Sequence, residues 1–402
     1  MILAANRLLP LSGSKIIFVM KSSLLYTTLF VLLLSCITKT HAQTTQSIQL
    51  TKKIVVFIPI EIDGAFEGNQ YILGNNNLPK TMLPGLDFYN GVMMAVDSLN
   101  KTNTPLEVRI IDTKQKNNSL ANLLADSSLQ NTALIISAVT NRADTKIIAD
   151  FALAYQTPMV SAIFPNDAGV TNNPFVTVLN PTLKTQCEAI SNYLKNNFTK
   201  NTILYCKKKG TTEDYIQNII TVTNSKSAPS FLQIELQDSV VFGDILPYLD
   251  STKQNIIMCG SLKESFGVGL VKIFNENPAY KAIIIGMPTW DGLKAIDVQN
   301  VEIIYATPYY FNGNEKLLKQ LTASYKIKYQ GRPSDQFFKG YETLLYFTGS
   351  MFTKPTNVFN SFKIVPVFNS SIKSQTDYQE NKNLYFFKKQ NGQIKTAKAY
   401  AY

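Results

Sequence analysis

A complete β-α-β unit lies between residues 52 and 113 and constrains the fold more than any other feature. Residues 54–60 form a short, β-branched apolar run with the length of a buried parallel strand. Residues 88–100 carry apolar side chains at the spacing of one helix face, and residues 106–113 form a second strand pattern. This connection is too long for a hairpin, so we expect parallel strands joined by a right-handed crossover.

Strand and helix patterns keep alternating to residue 164, and a second series with Leu-, Ile- and Val-rich strands begins at residue 183. An Asn-, Pro- and Gly-rich stretch, residues 165–174, ends the first series. We predict an α/β protein with two doubly wound Rossmann-like lobes and a hinge of three crossings. Three extended segments are the predicted crossings: residues 175–181, 302–310 and 361–369.

The predicted domain boundaries follow from these crossings. Residues 1–42 are an upstream extension and a signal peptide. The first lobe comprises residues 52–174 and 309–357. The second lobe comprises residues 175–308 and 358–402.

The N-terminal leader predicts export to the periplasm. Met20 and Lys21 precede an apolar stretch, residues 24–34, which is too short to span a bilayer as a helix. A signal-peptidase site ends at Ala42, and we favour plain secretion. The alternative is a lipobox that ends at Cys36 and leaves a membrane-anchored lipoprotein with a lipid anchor on that cysteine.

Charge and histidine content exclude several function classes. Four basic residues lie in the leader, which has no acidic residue, so the mature chain is less basic than the formal net charge of +11. The one basic run, residues 207–209, fits a solvated turn better than a nucleic-acid site, and we expect no nucleic-acid partner. The single histidine, His41, belongs to the leader. A histidine-based triad, zinc site or proton relay is therefore excluded from the mature chain, and we predict no enzyme activity, metal or cofactor.

Three cysteines remain after the leader: Cys187, Cys206 and Cys259. The odd number argues against a dense disulfide framework. Cys206 and Cys259 end predicted strands that can be neighbours in a doubly wound lobe. A disulfide in an oxidising compartment and two buried thiols are both compatible with this placement.

Short sequence blocks along nearly the whole mature chain resemble, in order, the type I periplasmic-binding fold. The resemblance is to the branched-chain amino-acid-binding-like (leucine-binding protein) family of ABC transporter substrate-binding proteins. The blocks that carry it are Phe88–Gly91, Ala95–Leu99, Ile110–Thr113, Thr157–Ser161, Asn172–Phe175, Gly286–Trp290, Ala306–Tyr310, Tyr325–Gly331 and Gly340–Thr343.

The resemblance implies a small-molecule ligand held between two lobes that close like a hinge, and a membrane permease as partner. The chain also departs from the amino-acid-binding pattern. Residues 136–142 lack the glycine expected in the turn that grips a ligand carboxylate. No acidic residue of the second lobe matches the family's ammonium partner.

Candidate ligand-binding residues follow the carboxyl ends of predicted strands, where open parallel sheets bind their ligands. Thr140 and Asn141 begin a helix and can hold an anion with a hydroxyl and backbone N–H groups, or can simply cap it. Ser161, Ala162 and Phe164 follow the fourth strand and are expected to face the cleft.

Three more candidates come from the second lobe and a crossing. Trp290, the only tryptophan, is predicted either to stack on a ligand or to pack at the hinge. Tyr309 lies where a crossing meets the cleft, and packing in the core is its alternative. Glu264 is the candidate ammonium partner, and an exposed carboxylate in the first turn of a helix is its alternative. Asp112 and Thr113 are expected to cap the next helix.

Two hypotheses follow for the function. The main one is a secreted, non-enzymatic solute-binding protein that closes on a small polar ligand, an amino acid or a short peptide, for ABC-type uptake or sensing. The alternative is an envelope scaffold or regulator that uses the same fold with a degenerate cleft. The missing turn glycine and the unassigned ammonium partner favour the second hypothesis.

Overall fold

The computed structural model describes residues 51–74, 78–221, 229–290, 300–352, 356–369, 371–372, 374–390 and 393–401. Residues 51–402 belong to one compact unit. The predicted signal peptide, its cleavage site, Cys36 and the Asn-Gly turn at residues 391–392 lie outside the described residues.

The strands, in chain order, are β1 (Lys52–Ile58), β2 (Phe66–Glu67), β3 (Gln70–Tyr71), β4 (Leu106–Asp112), β5 (Leu134–Ser137), β6 (Met159–Ser161), β7 (Val176–Val178), β8 (Thr202–Lys208), β9 (Ser230–Leu236), β10 (Asn255–Cys259), β11 (Ala282–Ile285), β12 (Val301–Thr307), β13 (Ile364–Phe368), β14 (Thr376–Asn381), β15 (Asn383–Gln390) and β16 (Gln393–Ala401). The α-helices are α1 (Leu83–Asn100), α2 (Leu120–Leu124), α3 (Arg142–Ala154), α4 (Leu183–Phe198), α5 (Thr211–Thr221), α6 (Phe242–Ile245), α7 (Glu264–Glu276), α8 (Glu315–Tyr329) and α9 (Asp335–Phe352). Short 3₁₀ turns are present at Ile62–Gly64, Ser127–Leu129, Leu246–Tyr248 and Phe311–Asn314.

Two seven-stranded sheets form the cores of two lobes, which confirms the predicted fold class. The first sheet has the order β13-β14-β7-β6-β5-β1-β4, and the second has the order β16-β15-β12-β11-β10-β8-β9. Within each sheet five strands that follow β-α-β crossovers are parallel, as the first unit predicts. Antiparallel pairs occur only toward one side of each sheet among the described strands, where β13 pairs with β14 and β15 pairs with β12 and β16.

The chain passes between the sheets three times, but not at every predicted position. It leaves the first sheet after β7, returns after β12, and leaves again between β14 and β15. The first two crossings lie at the C-terminal ends of the predicted segments. The first begins after β7, which still pairs with β6, and the second begins after β12, which still pairs with β11. The third expectation was wrong, because residues 364–368 pair with β14 inside the first sheet. Strands β7, β13 and β14 therefore lie in the first sheet, although the predicted boundaries assigned them to the second lobe. An extended pattern does not reveal which sheet completes its hydrogen bonds.

Alternating side chains of β1 build the two sides of the first lobe. Ile54, Val56 and Ile58 pack against α1, α8 and α9 in one apolar cluster. Val55 and Phe57 point to the other face and pack against α2 and α3. All five side chains are buried, which explains why this strand is apolar throughout and does not alternate with polar residues.

Helices α1 and α9 cross closely because each carries a glycine at the contact. A Cβ atom on Gly91 would overlap the carbonyl oxygen of Phe337, and one on Gly340 would overlap the carbonyl oxygen of Phe88. The family-like blocks around these two glycines therefore have a packing reason. The close crossing holds the N-terminal half of α9 beside the carboxyl end of the first sheet.

The second lobe has one continuous apolar core around its sheet. Cys206 and Cys259 are register partners on β8 and β10, and both are buried free thiols, as is Cys187. Residues 120–129 and residues 242–248 each form a short helix followed by a 3₁₀ turn. In the first, Asp126 is extended and caps a new turn; in the second, Pro247 lacks the N–H that a longer helix requires.

Candidate functional site

The carboxyl ends of the parallel strands of both sheets border the same region of the molecule. Two cavities lie there. The first-lobe cavity has a volume of about 460 Å³ and is bordered only by the first lobe. Its walls include Glu61, Phe88, Lys114, Thr140, Ile163 and Gln336. This is the position at which an open parallel sheet is expected to bind a ligand.

The hinge cavity, of about 380 Å³, is bordered by both lobes and by two of the crossings. Its walls include Asn180, Leu262, Thr289, Thr307, Tyr309 and Lys339. The two cavities adjoin each other. Ile163 lines one and Pro165 the other, while Gln336 and Lys339 on α9 are one helical turn apart.

Asp112, the last residue of β4, organises the rim of the first-lobe cavity. Its carboxylate accepts hydrogen bonds from the backbone N–H groups of Ile60 (3.0 Å), Glu61 (3.1 Å), Ile62 (2.8 Å) and Lys114 (2.9 Å). The expectation that Asp112 caps the following helix was therefore wrong. Ser119 is the cap of α2, since its hydroxyl accepts from the backbone of Asn122.

A polar network joins the first crossing to the third. Glu380 is buried, and its Oε1 accepts a 2.7 Å hydrogen bond from the backbone of Thr182. Its Oε2 is 2.6 Å from the ammonium group of Lys382, the one residue between β14 and β15. The side-chain amide of Asn381 donates to the carbonyl of Leu179 (3.2 Å). These contacts therefore connect the first crossing directly to the third at the base of the cleft.

Tyr309 joins the second crossing to the first lobe. Its hydroxyl donates a 2.9 Å hydrogen bond to the carbonyl oxygen of Ala162, and its ring lies 4.0 Å from the ammonium group of Lys339. Burial raises the pKa of the Tyr309 phenol, so the hydroxyl stays protonated and able to donate. Tyr309 thus forms a wall of the hinge cavity and also holds the end of β6.

Glu342 is a buried carboxylic acid one turn beyond Lys339. Its Oε1 accepts hydrogen bonds from the backbone of Phe359 (3.0 Å) and Ser361 (3.5 Å). Burial raises its pKa to about 7, although these hydrogen bonds act in the opposite direction. Its Oε2 has no hydrogen-bond partner among the described residues. Glu342 lies on α9 one helical turn after Lys339, which lines the hinge cavity.

Of the residues predicted in the first lobe, Thr140 lines one of the two cavities, and the others do not. Thr140 is exposed and lines the first-lobe cavity, and the carbonyl of Ala162 holds Tyr309. Asn141 is the cap of α3, since its side chain accepts from the backbone of Asp144 (2.8 Å). Ser161 is buried, and its hydroxyl has no hydrogen-bond partner within the described ranges; Phe164 packs against the apolar cluster beneath α3.

The predicted residues of the second lobe do not reach either cavity. Trp290 is 1% exposed in the apolar core. A Cβ atom on Gly267 or Gly286 would collide with its ring, so both glycines make room for it. Glu264 is an exposed residue in the first turn of α7 and borders neither cavity. Trp290 therefore packs in the core of the second lobe and not at the hinge, and Glu264 is an exposed carboxylate in the first turn of a helix.

Several cavity residues were missed by the sequence reasoning: Glu61, Lys114, Gln336 and Lys339. The signal for the first two was available, because each follows the end of a predicted strand. Nothing in the local pattern of α9 distinguishes Gln336 and Lys339 from ordinary residues of an amphipathic helix.

No group of metal-ligating side chains is present among the described residues. None of the helices in the described ranges is long and apolar enough to cross a membrane. These two observations concern the structure from residue 51 onward.

Comparison with known proteins reveals likeness in structure alone. No family model matches the sequence, and no curated protein does. A branched-chain amino acid ABC transporter protein from Rhodospirillum rubrum superposes with a TM-score of 0.59 at 11% identity, over 87% of this chain and 100% of the other. An ABC transporter substrate-binding protein from Desulfitobacterium hafniense gives 0.57 at 10% identity, over 86% and 100%.

An ABC transporter substrate-binding protein from Desulfitobacterium hafniense in complex with Leu gives a TM-score of 0.54 at 11% identity, over 86% of this chain and 100% of the other. Each superposition extends over both lobes, since it covers more than four fifths of this chain. These identities are low, so the likeness concerns the fold. The chain therefore has the type I periplasmic-binding fold that branched-chain amino acid ABC transporter substrate-binding proteins share.

Proposed function

We propose that this chain is an exported solute-binding protein that closes its two lobes on a small polar ligand, an amino acid or a short peptide, for ABC-type uptake or sensing. It is not an enzyme in this proposal. Its partners are the ligand and a membrane permease. The leader supports export to the periplasm, with a lipid anchor on Cys36 as the alternative N-terminus.

One observation carries the proposal: two adjoining cavities lie at the carboxyl edges of the sheets, and one of them is bordered by both lobes and the crossings. A ligand in the first-lobe cavity changes the energy of closure only if it also contacts the second lobe. Leu262 and Thr289 supply that second surface next to the crossings. The buried Oγ1 of Thr289 has no hydrogen-bond partner among the described residues, so it can form a hydrogen bond with a ligand group.

The neighbouring structure in complex with Leu supports an amino acid as the ligand class. A thermal-shift screen of residues 43–402 tests the proposal with amino acids, short peptides, organic acids and sugars. Binding to the native state alone raises the melting temperature in a saturable way, by RT ln(1 + [L]/Kd) in free energy. A saturable rise for at least one compound is the expected result. No shift across the whole panel contradicts solute binding.

The scaffold hypothesis remains the second candidate because of one feature of the second lobe. Several of its charged side chains near the carboxyl strand ends already have partners within the lobe. Asp238 binds both Lys208 (3.5 Å) and Lys263 (2.8 Å), and Glu213 accepts a 2.8 Å hydrogen bond from Ser261. A flat thermal-shift panel, together with specific capture of a protein from the cell envelope, would favour this candidate.

A further inference from the structure

We propose that Glu61 binds the ammonium group of a zwitterionic ligand, an α-amino acid or a short peptide, and that Lys114 faces its carboxylate in the first-lobe cavity. This inference rests on the proposed function and specifies the ligand class. It assigns the acidic partner to the first lobe, whereas the family resemblance places that partner in the second. Asp112 is a positioning residue for both side chains.

The backbone of Glu61 is held in an unfavourable conformation at the rim of the cavity. Its φ of 62° and ψ of 41° lie in the left-handed region that glycine adopts at lower cost. The Asp112 carboxylate stabilises this conformation by accepting from the N–H groups of Ile60, Glu61 and Ile62. Backbone strain of this kind clusters at ligand sites, where surrounding contacts keep a side chain in a fixed place.

The Glu61 side chain remains available to a ligand. It is exposed, borders the cavity, and takes part in no ion pair or side-chain hydrogen bond among the described residues. The side-chain oxygen of Gln336, on the same cavity wall, is buried and also has no hydrogen-bond partner in the described ranges. A carboxylate and an amide oxygen are both acceptors. Together they suit an ammonium group, which has three N–H donors.

Lys114 supplies the positive charge, and its backbone is held by the same Asp112 carboxylate that holds Glu61. Its backbone N–H donates to Asp112 (2.9 Å), and its ammonium group lies 3.7 Å from Asp144 on α3. The backbone N–H groups of Glu61 and Lys114 therefore both donate to the Asp112 carboxylate, and both residues border one cavity. The hinge cavity differs, because Lys339 is the only charged residue among its described lining residues. Of these two cavities, the first-lobe cavity is the one whose described lining residues carry charges of both signs.

Isothermal titration with the twenty L-amino acids and alanyl-alanine tests this assignment on residues 43–402. Each binder is compared with its analogue that lacks the amine, such as 4-methylpentanoate for leucine. Glu61→Gln keeps the size of the side chain and removes its charge. Glu107→Gln is the matched control, because Glu107 is an exposed carboxylate on β4 away from both cavities. Glu264→Gln tests the ammonium partner expected in the second lobe.

We expect Glu61→Gln to weaken binding of the best amino acid or peptide about tenfold, and to leave binding of its amine-free analogue unchanged. Glu107→Gln and Glu264→Gln keep wild-type affinity. Asp112→Asn weakens the amine-bearing ligand more than its analogue, which a general loss of stability would not do.

Equal affinity of Glu61→Gln and wild type for the amino acid would overturn the inference, as would equal affinity of wild type for the amine-free analogue. If organic acids or sugars bind and no amine-bearing compound does, the inference fails while solute binding stands. If nothing in the wider panel binds, the proposed function fails as well.

Discussion

The carboxyl edges of the two sheets are built alike in topology and differently in chemistry. In the first lobe, Asp112 uses its carboxylate to hold the backbone, and Glu61, Lys114 and Thr140 extend from that frame to a cavity. In the second lobe, Asp238 pairs with lysines at the ends of β8 and β10. A buried acid therefore holds loop backbone at the edge of the first lobe, whereas an exposed acid pairs with lysines at the edge of the second.

This difference indicates a division of labour between the lobes. The first lobe offers the carboxylate of Glu61 and the side-chain oxygen of Gln336, neither of which has a side-chain partner among the described residues, and such groups suit recognition of a polar solute. The second lobe offers a flat wall of Leu262, Pro288 and Thr289 beside the crossings. We infer that the first lobe selects the ligand and that the second lobe closes over it. The predictions below test this contrast.

Truncating Trp290 is expected to have the largest effect on stability and little effect on ligand selection. Trp290→Ala empties a buried site beside Gly267 and Gly286, and we expect a loss of about 4 kcal/mol in the free energy of unfolding. Urea unfolding measures this loss, and Trp290→Phe should lose less. Ligand affinity of the folded Trp290→Phe protein should match wild type. A large loss of ligand affinity with unchanged stability would show that Trp290 takes part in ligand recognition, and would contradict the proposed difference between the lobes.

We expect the buried carboxyl group of Glu342 to make the free energy of unfolding depend on pH. Because the folded pKa of Glu342 is raised to about 7 from 4.5, the folded state binds its proton more tightly than the unfolded chain does. The associated stability is complete below pH 4.5 and is lost as pH rises through 7, by about 3 kcal/mol. Glu342→Gln should remove this loss. Unfolding free energies of both proteins at pH 5 and pH 8 measure it.

The difference between wild type and Glu342→Gln, taken at each pH, cancels the titration of other groups. A difference that does not change between pH 5 and pH 8 would contradict a neutral-range pKa. The second lobe provides the comparison, since its acid Glu213 accepts a hydrogen bond from Ser261. Glu213→Gln tests whether any pH dependence is specific to Glu342.

Removing the anchor of the first-lobe edge should lower stability moderately and affinity strongly. Asp112→Asn replaces a charged acceptor of four backbone N–H groups, and we expect a loss of about 2 kcal/mol in unfolding free energy. Asp238→Asn is the counterpart in the second lobe, and its ion pairs are exposed, so its effect should be small. Unfolding and ligand titration of both variants measure the contrast. Equal effects would remove it.

The smallest effect is expected at the second crossing. Tyr309→Phe removes the 2.9 Å hydrogen bond to the carbonyl of Ala162 and leaves the ring in place, for a loss of about 1 kcal/mol. Thermal unfolding measures this change. The predicted ligand contact of Tyr309 is tested in the same variant by titration. An affinity loss much larger than the stability loss would show that its hydroxyl reaches the ligand.

The fold was predictable because its signals are local and repeated. The apolar run of β1 and the ordered family-like blocks each depend on residues close in sequence. The third crossing was not predictable in this way. Residues 364–368 lie in the first sheet because their partner β14 pairs with β7, and residues 383–390 lie in the second because they pair with β12; β7 and β12 are far away in the chain.

The site was less predictable than the fold, for a related reason. Thr140 was found because strand ends face ligands in parallel sheets. Asp112 was placed at the correct strand end and given the wrong role, because four N–H groups from two loops converge on it only after folding. Trp290 attracted a binding role as the sole tryptophan, and its burial depends on two distant glycines.

Hydrogen–deuterium exchange of residues 43–402, with and without the compound that gives the largest thermal shift, tests the division of labour most directly. The account predicts slower exchange of the backbone N–H groups at residues 60–62 and 138–140 of the first lobe, and of residues 286–289 of the second. Protection confined to the first lobe would show binding without closure. Protection at the second lobe with none at residues 60–62 would contradict ligand selection by the first lobe.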